Sequence, residues 1–323
     1  MSRVAFAHLH PGRGGRAQGM VRIPGVEPDW EVPAVVIRGA DDGPTLTITA
    51  GVHAAEYAGI AAAIRLGQEL DPARLRGTLI IVSLINTPGF YERSMYVNPR
   101  DGKNINRIFP GDMAGSPSER VTHFLTNELI KGSDAYIDLH GGDMIESLIP
   151  FAIYQQTGNA GLDRSAETMA EAFDLDYVIA APPDAVPGAS YVAAARLGIP
   201  AIIAEVGQQG VLDRASVERH VRGVTNVMVR LGMLQGQLVL RASPRRLSRF
   251  LWVRAPVEGA FYPAVTTGQM VERSQIIGEV RDLFGDLLAV LEAPANGVVL
   301  FMVTALAVRK DDPLFGIGAE GDP

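Results

Sequence analysis

A histidine and a carboxylate stand three positions apart, where an apolar run gives way to an alanine-rich run. They are His53 and Glu56, placed where a strand changes to a helix, so both side chains can point at one ion. His140 closes a second apolar run and is followed by Gly141 and Gly142, which is typical of a strand's carboxyl end. Histidine nitrogen with carboxylate oxygen suits zinc, and three protein ligands leave one position for water. The sequence therefore predicts one catalytic zinc ion per chain.

Another carboxylate ends a further apolar run. Glu205 follows Ala201–Ala204, and a carboxylate at such a place is costly unless it is paired or used in chemistry. We interpret Glu205 as a general-base candidate with a shifted pKa, and the alternative is an exposed strand end. Asp138 precedes His140 by two positions and is expected to lie on the opposite face of its strand, in a structural role.

A long irregular loop, Asn86–Asp112, carries polar residues bracketed by glycine and proline in the segment Asn98–Gly111. Loops of this length inside a compact domain are usually functional. The planar fork of an arginine matches a carboxylate, and an asparagine beside it adds a neutral donor. By itself the segment is typical of a solvated turn with surface salt bridges. Beside a metal site it indicates substrate binding.

Strands and helices alternate around these residues. Predicted strands cover residues 31–39, 45–50, 77–84 and 135–139, and predicted helices cover residues 57–70, 116–131, 163–173, 190–197 and 213–234. This order predicts an α/β fold with a mostly parallel sheet, helices on both faces, and the site at the carboxyl ends of the strands.

The length of 323 residues favours two domains. We expect a catalytic domain over residues 1–240, a linker over residues 235–249, and a β domain over residues 250–323. Within the last of these, Ala255–Gly259 recurs as Ala293–Gly297, and each copy is followed by an Ile-Gly pair. Two matching halves of short strands suggest a small β-sandwich.

Composition excludes several classes of protein. The net charge is −7 without a block of like charge, which argues against a nucleic-acid partner. No apolar run approaches the roughly 18 to 20 residues of a membrane span, and Met1–Gly19 lacks the apolar region of a signal peptide. We therefore expect a cytoplasmic protein without a membrane partner. The absence of cysteine excludes disulfides and thiolate zinc sites. Whether the chain forms a homo-oligomer stays open.

Four motifs together resemble those of the succinylglutamate desuccinylase/aspartoacylase family, in the zinc carboxypeptidase superfamily. They are GxHxxE at Gly51–Glu56, NxNRxFPG at Asn104–Gly111, DLHGG at Asp138–Gly142 and AEVG at Ala204–Gly207. The resemblance covers nearly the whole chain and is closest in type to N-acetyl-diamino-acid deacetylases. It implies a zinc carboxypeptidase-like catalytic domain followed by a C-terminal β barrel-sandwich domain.

The resemblance also implies roles for individual residues. The implied zinc ligands are His53, Glu56 and His140, and the implied general base is Glu205. Asn106 and Arg107 match a pair that holds the substrate carboxylate, and Tyr191 matches a substrate-binding tyrosine. Arg100 is expected to polarise the scissile carbonyl, with Arg93 as the alternative.

Two residues depart from the family pattern. Ala54 follows the first histidine where the family often has glycine, which asks for a less extreme backbone. Ala195 stands where aspartoacylases have an arginine for the aspartate side chain, which argues against an aspartate-specific reaction. The expected activity is zinc-dependent hydrolysis of the amide bond of a small N-acyl amino acid.

Two alternatives belong to other classes. The first is a zinc carboxypeptidase acting on short peptides, which a C-terminal domain capping the cleft would disfavour. The second is an acyl or biotin carrier, which needs a lysine at the hairpin between the two halves of its domain. The lysines of this chain are Lys103, Lys131 and Lys310, and the hairpin region Asp282–Asp286 contains none. The sequence therefore argues against a carrier.

Overall fold

The computed structural model describes residues 9–183, 185–241 and 243–320. The first eight residues of Met1–Gly19, the segment considered above for a signal peptide, lie outside the described residues. The first strands are β1 (Gly15–Arg22), β2 (Glu31–Arg38), β3 (Asp41–Ala50), β4 (Arg76–Val82), β5 (Ala135–His140), β6 (Glu146–Leu148), β7 (Phe151–Gln155), β8 (Tyr177–Ala181), β9 (Ala201–Glu205) and β10 (Arg245–Leu247). The α-helices are α1 (Tyr57–Glu69), α2 (Thr87–Glu92), α3 (Pro117–Phe124), α4 (Ala160–Ala172), α5 (Ser190–Arg196) and α6 (Arg214–Arg230).

Shorter helical turns and a second set of strands complete the described chain. Turns of 3-10 helix occur at Pro72–Arg74, Ile105–Arg107 and Ile130–Gly132, and a π-helical turn at Leu125–Leu129 continues α3. The later strands are β11 (Arg249–Arg254), β12 (Gly259–Pro263), β13 (Met270–Val271), β14 (Ile276–Arg281), β15 (Leu287–Glu292), β16 (Gly297–Val303), β17 (Ala307–Val308) and β18 (Pro313–Ala319). Among the described residues, no helix combines the length and the apolar character that crossing a bilayer requires.

A nine-stranded sheet forms the centre of the α/β part, in the order β1-β2-β4-β3-β5-β9-β7-β8-β10. The strands β4, β3, β5 and β9 pair in parallel, as do β7, β8 and β10. β1 and β2 are antiparallel additions at one edge, and β7 runs antiparallel to β9. The predicted α/β fold is confirmed. The sheet is mixed, with parallel pairing at its centre.

Successive apolar side chains of the central strands lie alternately on the two faces of the sheet, so both faces are apolar. In β4, Leu79 and Ile81 pack with α1, α4 and α6 in one core, whereas Ile80 and Val82 belong to the other. Successive side chains of a strand point to opposite faces, which explains this division. The second core also contains α5 and residues of the later strands, such as Phe315. The C-terminal strands are thus packed against one face of the large sheet.

The C-terminal strands form two antiparallel sheets, ordered β11-β18-β16-β13 and β15-β14-β12-β17. β6 joins the first of them by pairing with β16. Part of the predicted linker, Arg245–Leu247, is β10 and pairs with β8 of the large sheet. Closure into a barrel and the division into domains at residues 240 to 250 stay predictions.

Candidate active site

The carboxyl ends of three neighbouring parallel strands meet at one edge of the large sheet. His53 and Glu56 follow β3, His140 is the last residue of β5, and Glu205 is the last residue of β9. In the register of β5 and β9, His140 lies beside Glu205. The parallel sheet therefore brings together four residues from three separate parts of the sequence, as expected for a site at strand carboxyl ends.

The His53, Glu56 and His140 side chains form a compact group. His53 Nδ1 lies 2.7 Å from Glu56 Oε1, and His140 Nδ1 lies 2.9 Å from Glu56 Oε2. Their ligand atoms all lie within 4.8 Å of one another, and all three residues are buried. Burial alone would raise the pKa of Glu56, but His140 and His53 lower it to about 2. The carboxylate is therefore ionised and faces both imidazoles.

The outer nitrogen of each imidazole lies next to an oxygen. His140 Nε2 is 3.1 Å from Asp138 Oδ2, and His53 Nε2 is 3.1 Å from Asn104 Oδ1. Metal-binding histidines usually donate their second N–H to such an acceptor, which fixes the ring and its tautomer. Both Nδ1 atoms are thereby left to face Glu56. The group fits one divalent ion, and its nitrogen and oxygen donors suit zinc.

Asp138 corrects one expectation from the sequence. Residues two apart in a strand point to the same face, so Asp138 lies on the side of His140 and not opposite it. Its carboxylate also accepts hydrogen bonds from Thr49 Oγ1, at 2.7 Å, and Ser190 Oγ. These bonds satisfy a fully buried carboxylate while it orients His140. The expected structural role was right in kind, but the side of the strand was wrong.

Gly51 allows the chain to turn from β3 into the site. Its φ is +64°, and a Cβ at this position would come within 2.7 Å of Leu84 Cδ1. Only glycine adopts this conformation readily, and the close approach excludes a side chain in any case. Asn86 N donates to the Gly51 carbonyl at 2.8 Å, which ties the turn to the long loop. Gly51 therefore sets where His53 enters the site.

Glu205 lies at the edge of the group without an ion-pair partner among the described residues. Burial raises the pKa of its carboxyl well above the ordinary value, and the nearby carboxylate of Glu56 adds to the shift although His140 opposes it. A raised pKa suits a group that takes up a proton and releases it again. The role of Glu205 as a general base stays a prediction.

The loop residues Asn106 and Arg107 reach the site by a 3-10 turn, Ile105–Arg107. Asn106 Oδ1 accepts from Ser190 N at 2.9 Å, and its Nδ2 lies 3.5 Å from His140 Nε2. Arg107 Nη1 donates to the Asn106 carbonyl at 2.8 Å. Its guanidinium carbon lies 5.8 Å from the centre of the Trp252 ring, and burial lowers its pKa. The remaining guanidinium N–H groups have no partner among the described residues.

Gly188 fixes the backbone of this turn from outside. Its φ is +75°, and a Cβ there would lie 2.1 Å from the Arg107 carbonyl oxygen. Phe109 N donates to the Gly188 carbonyl at 2.9 Å. This close contact between two backbones is available only to glycine, so Gly188 helps to position Arg107.

The structure does not bring Arg100 to the site. Its guanidinium donates to the carbonyls of Pro28 and Asp29, at 2.6 Å and 3.1 Å, and lies 5.1 Å from the centre of the Trp30 ring. Neither Arg100 nor the alternative Arg93 is among the described residues that line the cavity. The spacing of residues in the loop could not show which way Arg100 points. A role in carbonyl polarisation would require the Arg100 side chain to leave these carbonyls, and it stays a prediction.

A cavity of about 770 Å³ opens onto the histidine and glutamate group. Its polar lining on the side of the large sheet consists of His53, Glu56, Tyr96, Asn104, Asn106, Arg107, Glu146, Tyr191 and Glu205. Arg309 and Asp312 add polar groups from the C-terminal part of the chain. The C-terminal strands supply an opposite wall that includes Phe250, Trp252, Arg254 and Phe301. Tyr191 lies on this lining beside Arg107, with a buried hydroxyl that has no hydrogen-bond partner among the described residues. The site is therefore completed by strands from both parts of the chain.

His220, on α6, supports the ends of β5 and β9 from behind. Its Nε2 lies 3.1 Å from the carbonyl oxygens of His140 and Val206. Burial lowers the pKa of His220 to about 4, so the ring is neutral and donates one N–H to the two carbonyls. The sequence around His220 carries no sign of this role, because the contact depends on how α6 packs against the sheet.

A comparison with protein families matches residues 42–231 to the succinylglutamate desuccinylase/aspartoacylase catalytic domain. Among curated proteins, the chain is 30% identical over 289 residues to the N-alpha-acetyl-L-2,4-diaminobutyric acid deacetylase of Halomonas elongata. That match covers 88% of this chain and 84% of the relative.

Solved structures share the fold over nearly the whole chain. A succinylglutamate desuccinylase/aspartoacylase from Rhodobacter sphaeroides has a TM-score of 0.85 at 26% identity, covering 96% of this chain and 97% of its own. The product-bound ectoine utilization protein EutE (DoeB) from Ruegeria pomeroyi has a TM-score of 0.86 at 23% identity, with the same coverage of 96% and 97%.

Proposed function

Because the chain belongs to the succinylglutamate desuccinylase/aspartoacylase family, we propose that it hydrolyses the amide bond of a small N-acyl amino acid, using one zinc ion. The observation that carries the proposal is that three features line one cavity: the histidine and glutamate group, an arginine, and Glu205, which makes no ion pair with the described residues. These parts supply a metal site, a proton acceptor and a carboxylate clamp. Together they are sufficient for an amidohydrolase.

In this proposal His53, Glu56 and His140 hold the zinc ion. When bound, zinc supplies Lewis-acid chemistry, polarising a carbonyl oxygen and acidifying water. Asp138 and Asn104 keep the two imidazoles oriented, so the Nδ1 atoms stay directed at the ion. The fit of this donor set to zinc supports the cofactor assignment.

Glu205 acts as the general base and then as the general acid. It takes a proton from the attacking water, and it later delivers that proton to the nitrogen of the leaving amine. A carboxyl with an ordinary pKa would be a poor acid at neutral pH. The raised pKa of Glu205, caused mainly by burial, supports the second half of this role.

Arg107 and Asn106 position the substrate. The guanidinium N–H groups that make no hydrogen bond to the protein are suited to grip the carboxylate of the amino acid, because two of them match its two oxygens. The side-chain Oδ1 of Asn106 already accepts a hydrogen bond from Ser190 N, which leaves Nδ2 of the same amide as a neutral donor. Tyr191, next to Arg107, closes this side of the cavity. Holding the carboxylate fixes the distance of the amide from the metal site.

The alternative of a carboxypeptidase is less consistent with the cavity. Trp252, Phe301 and other residues of the C-terminal strands line the wall opposite the metal site. A peptide extending from its C-terminal residue would have to pass this wall, whereas a small acyl group ends inside the cavity. The wall therefore favours small acyl substrates.

The test is an assay of zinc-loaded protein on a panel of N-acetyl, N-formyl and N-succinyl amino acids, with acetylated di- and tripeptides as the competing class. The relative in Halomonas elongata is a deacetylase of N-alpha-acetyl-L-2,4-diaminobutyric acid, so acetylated diamino acids belong in the panel. We expect hydrolysis of N-acyl amino acids and little of peptides. Faster cleavage of the peptides would replace the proposal with a carboxypeptidase.

A further inference from the structure

Glu146 is a carboxylate of the cavity wall to which the proposed chemistry gives no role. It is the first residue of β6, and its backbone is held on both sides: it pairs with Val303 of β16, and its carbonyl accepts from Gln209 N at 2.8 Å. The side chain is half-buried and lines the cavity. A rigid strand thus presents a carboxylate to whatever occupies the cavity.

The carboxylate of Glu146 lacks a counter-ion among the described residues. It accepts a hydrogen bond from Asp143 N at 3.1 Å. The Tyr96 hydroxyl lies close enough for Glu146 to help raise the pKa of the tyrosine. Its oxygen has no hydrogen-bond partner among the described residues. Burial, followed by the charge of Glu56, raises the pKa of Glu146 to about 7. Such a placement is costly for a fold and is usually retained for a ligand.

The other carboxylates around the cavity are already committed. Glu56 bridges the two histidines, and Glu205 lies beside His140 as the proposed base. Asp143 accepts from Tyr96 N at 2.8 Å and Met144 N at 2.6 Å. Asp312, which lines the cavity from the C-terminal part of the chain, accepts from Arg309 N at 2.7 Å. Of the lining carboxylates that act on Arg107, Glu146 is therefore the one without a role in the proposed chemistry.

A positive and a negative group share this cavity, since Arg107 and Glu146 both line it. They are close enough for Glu146 to counteract the lowering of the Arg107 pKa. A substrate that places its carboxylate on Arg107 holds its side chain inside the same cavity. We propose that Glu146 binds a positively charged side-chain group of the substrate, so that N-acyl diamino acids are the preferred class. This inference rests on the proposed function and adds the specificity-determining residue.

The experiment compares two substrates of the same shape. Nα-acetyl-2,4-diaminobutyrate carries a side-chain ammonium, and N-acetylnorvaline carries a methyl group in its place. The quantity measured is the ratio of kcat/KM for the first over the second. In Glu146→Gln, which keeps an acceptor for Asp143 N, we expect this ratio to fall about 10- to 150-fold, the range of one charge-assisted hydrogen bond. The exposed Glu258→Gln is the matched control and should keep the wild-type ratio.

Binding to the zinc-loaded protein gives a second measurement that does not depend on turnover. By calorimetry, Glu146→Gln should lose affinity for L-2,4-diaminobutyrate and keep its affinity for L-norvaline. An unchanged ratio of rates, or an equal loss of affinity for both amino acids, would overturn the role of Glu146. A wild-type protein that hydrolyses none of the N-acetyl, N-formyl and N-succinyl amino acids of the panel would instead refute the proposed function, and the calorimetric comparison would still decide on Glu146.

Discussion

The substitution Arg107→Ala tests binding of the substrate carboxylate separately from metal binding and proton transfer. A guanidinium has five N–H donors, and the structure commits Nη1 to the Asn106 carbonyl. The fork formed by the remaining donors is available for a carboxylate. Loss of one such charge-assisted contact costs about 1.5 to 3 kcal/mol, which corresponds to a fall of about 10- to 150-fold in kcat/KM. The fall in kcat/KM caused by Arg107→Ala should therefore be large enough to measure.

The same substitution also removes a contact within the protein. The Arg107 guanidinium lies 5.8 Å from the centre of the Trp252 ring, and a cation–π contact contributes about 0.5 to 2 kcal/mol, with the larger values where it is shielded from water. That loss lowers the free energy of unfolding but affects all substrates alike. The assay therefore compares N-acyl amino acids with their C-terminal amides, which lack the carboxylate. Only the acids should show the large fall in kcat/KM.

Arg254 provides the competing explanation and the control. Its guanidinium lies 5.4 Å from the centre of the same ring, donates to the Asp311 carbonyl, and also lines the cavity. If Arg254→Ala weakens hydrolysis of the acids selectively while Arg107→Ala does not, the carboxylate is bound by Arg254. If Arg107→Ala reduces acids and amides equally, Arg107 does not bind the carboxylate, and the reasoning from its unbonded N–H groups fails.

Three further predictions concern the metal, the base and the fold. His140→Ala removes one of three proposed ligands, so zinc content measured by metal analysis should fall, and full occupancy would refute the site. Glu205→Gln should reduce kcat by roughly 10² to 10⁴ with zinc content unchanged, whereas near-normal turnover would mean that another group takes the proton. The pKa of His220 is about 4 when folded, below its unfolded value of about 6.5, so the unfolded state binds more protons in this range. The contribution of neutral His220 to the free energy of unfolding is complete above pH 6.5. It should fall by up to ~1.4 kcal/mol per pH unit as the pH falls towards 4. In urea unfolding, His220→Gln should lack this part of the pH dependence.

The α/β fold could be predicted because apolar runs and helical periods alternate along the chain. The direction of each strand in the sheet could not be predicted. Every residue of β7 is buried, which predicts a central strand, but β7 runs antiparallel to β9 and parallel to β8. The burial of a strand on both faces is the same for either direction. The direction of β7 depends on the path of the connections between strands, and its strand pairings join distant parts of the sequence.

The metal group was predictable because its determinants are local. His53, Glu56 and His140 each stand where an apolar strand ends, and parallel strands bring their carboxyl ends to one edge of the sheet. The direction of the Arg100 side chain, towards the carbonyls of Pro28 and Asp29, could not be predicted, because a loop with several turns does not reveal the direction of one side chain. Asn104 lies two residues before Asn106 and could have been suspected as a partner for a ligand, since metal-binding histidines require such acceptors.

Glu146 shows what a sequence pattern cannot contain. The residue occupies the cavity wall because β6 pairs with β16, and Glu146 and Val303 are far apart in the sequence. Glu56, Glu205 and Glu146 are therefore directed to one cavity by three separate elements. Bringing like charges together in a buried place opposes folding, and a sequence shaped only for stability would replace them with apolar residues. A metal ion at Glu56, a proton on Glu205 and a cationic substrate group at Glu146 would each relieve part of this repulsion. Ligand binding therefore explains the three carboxylates better than the stability of the fold does.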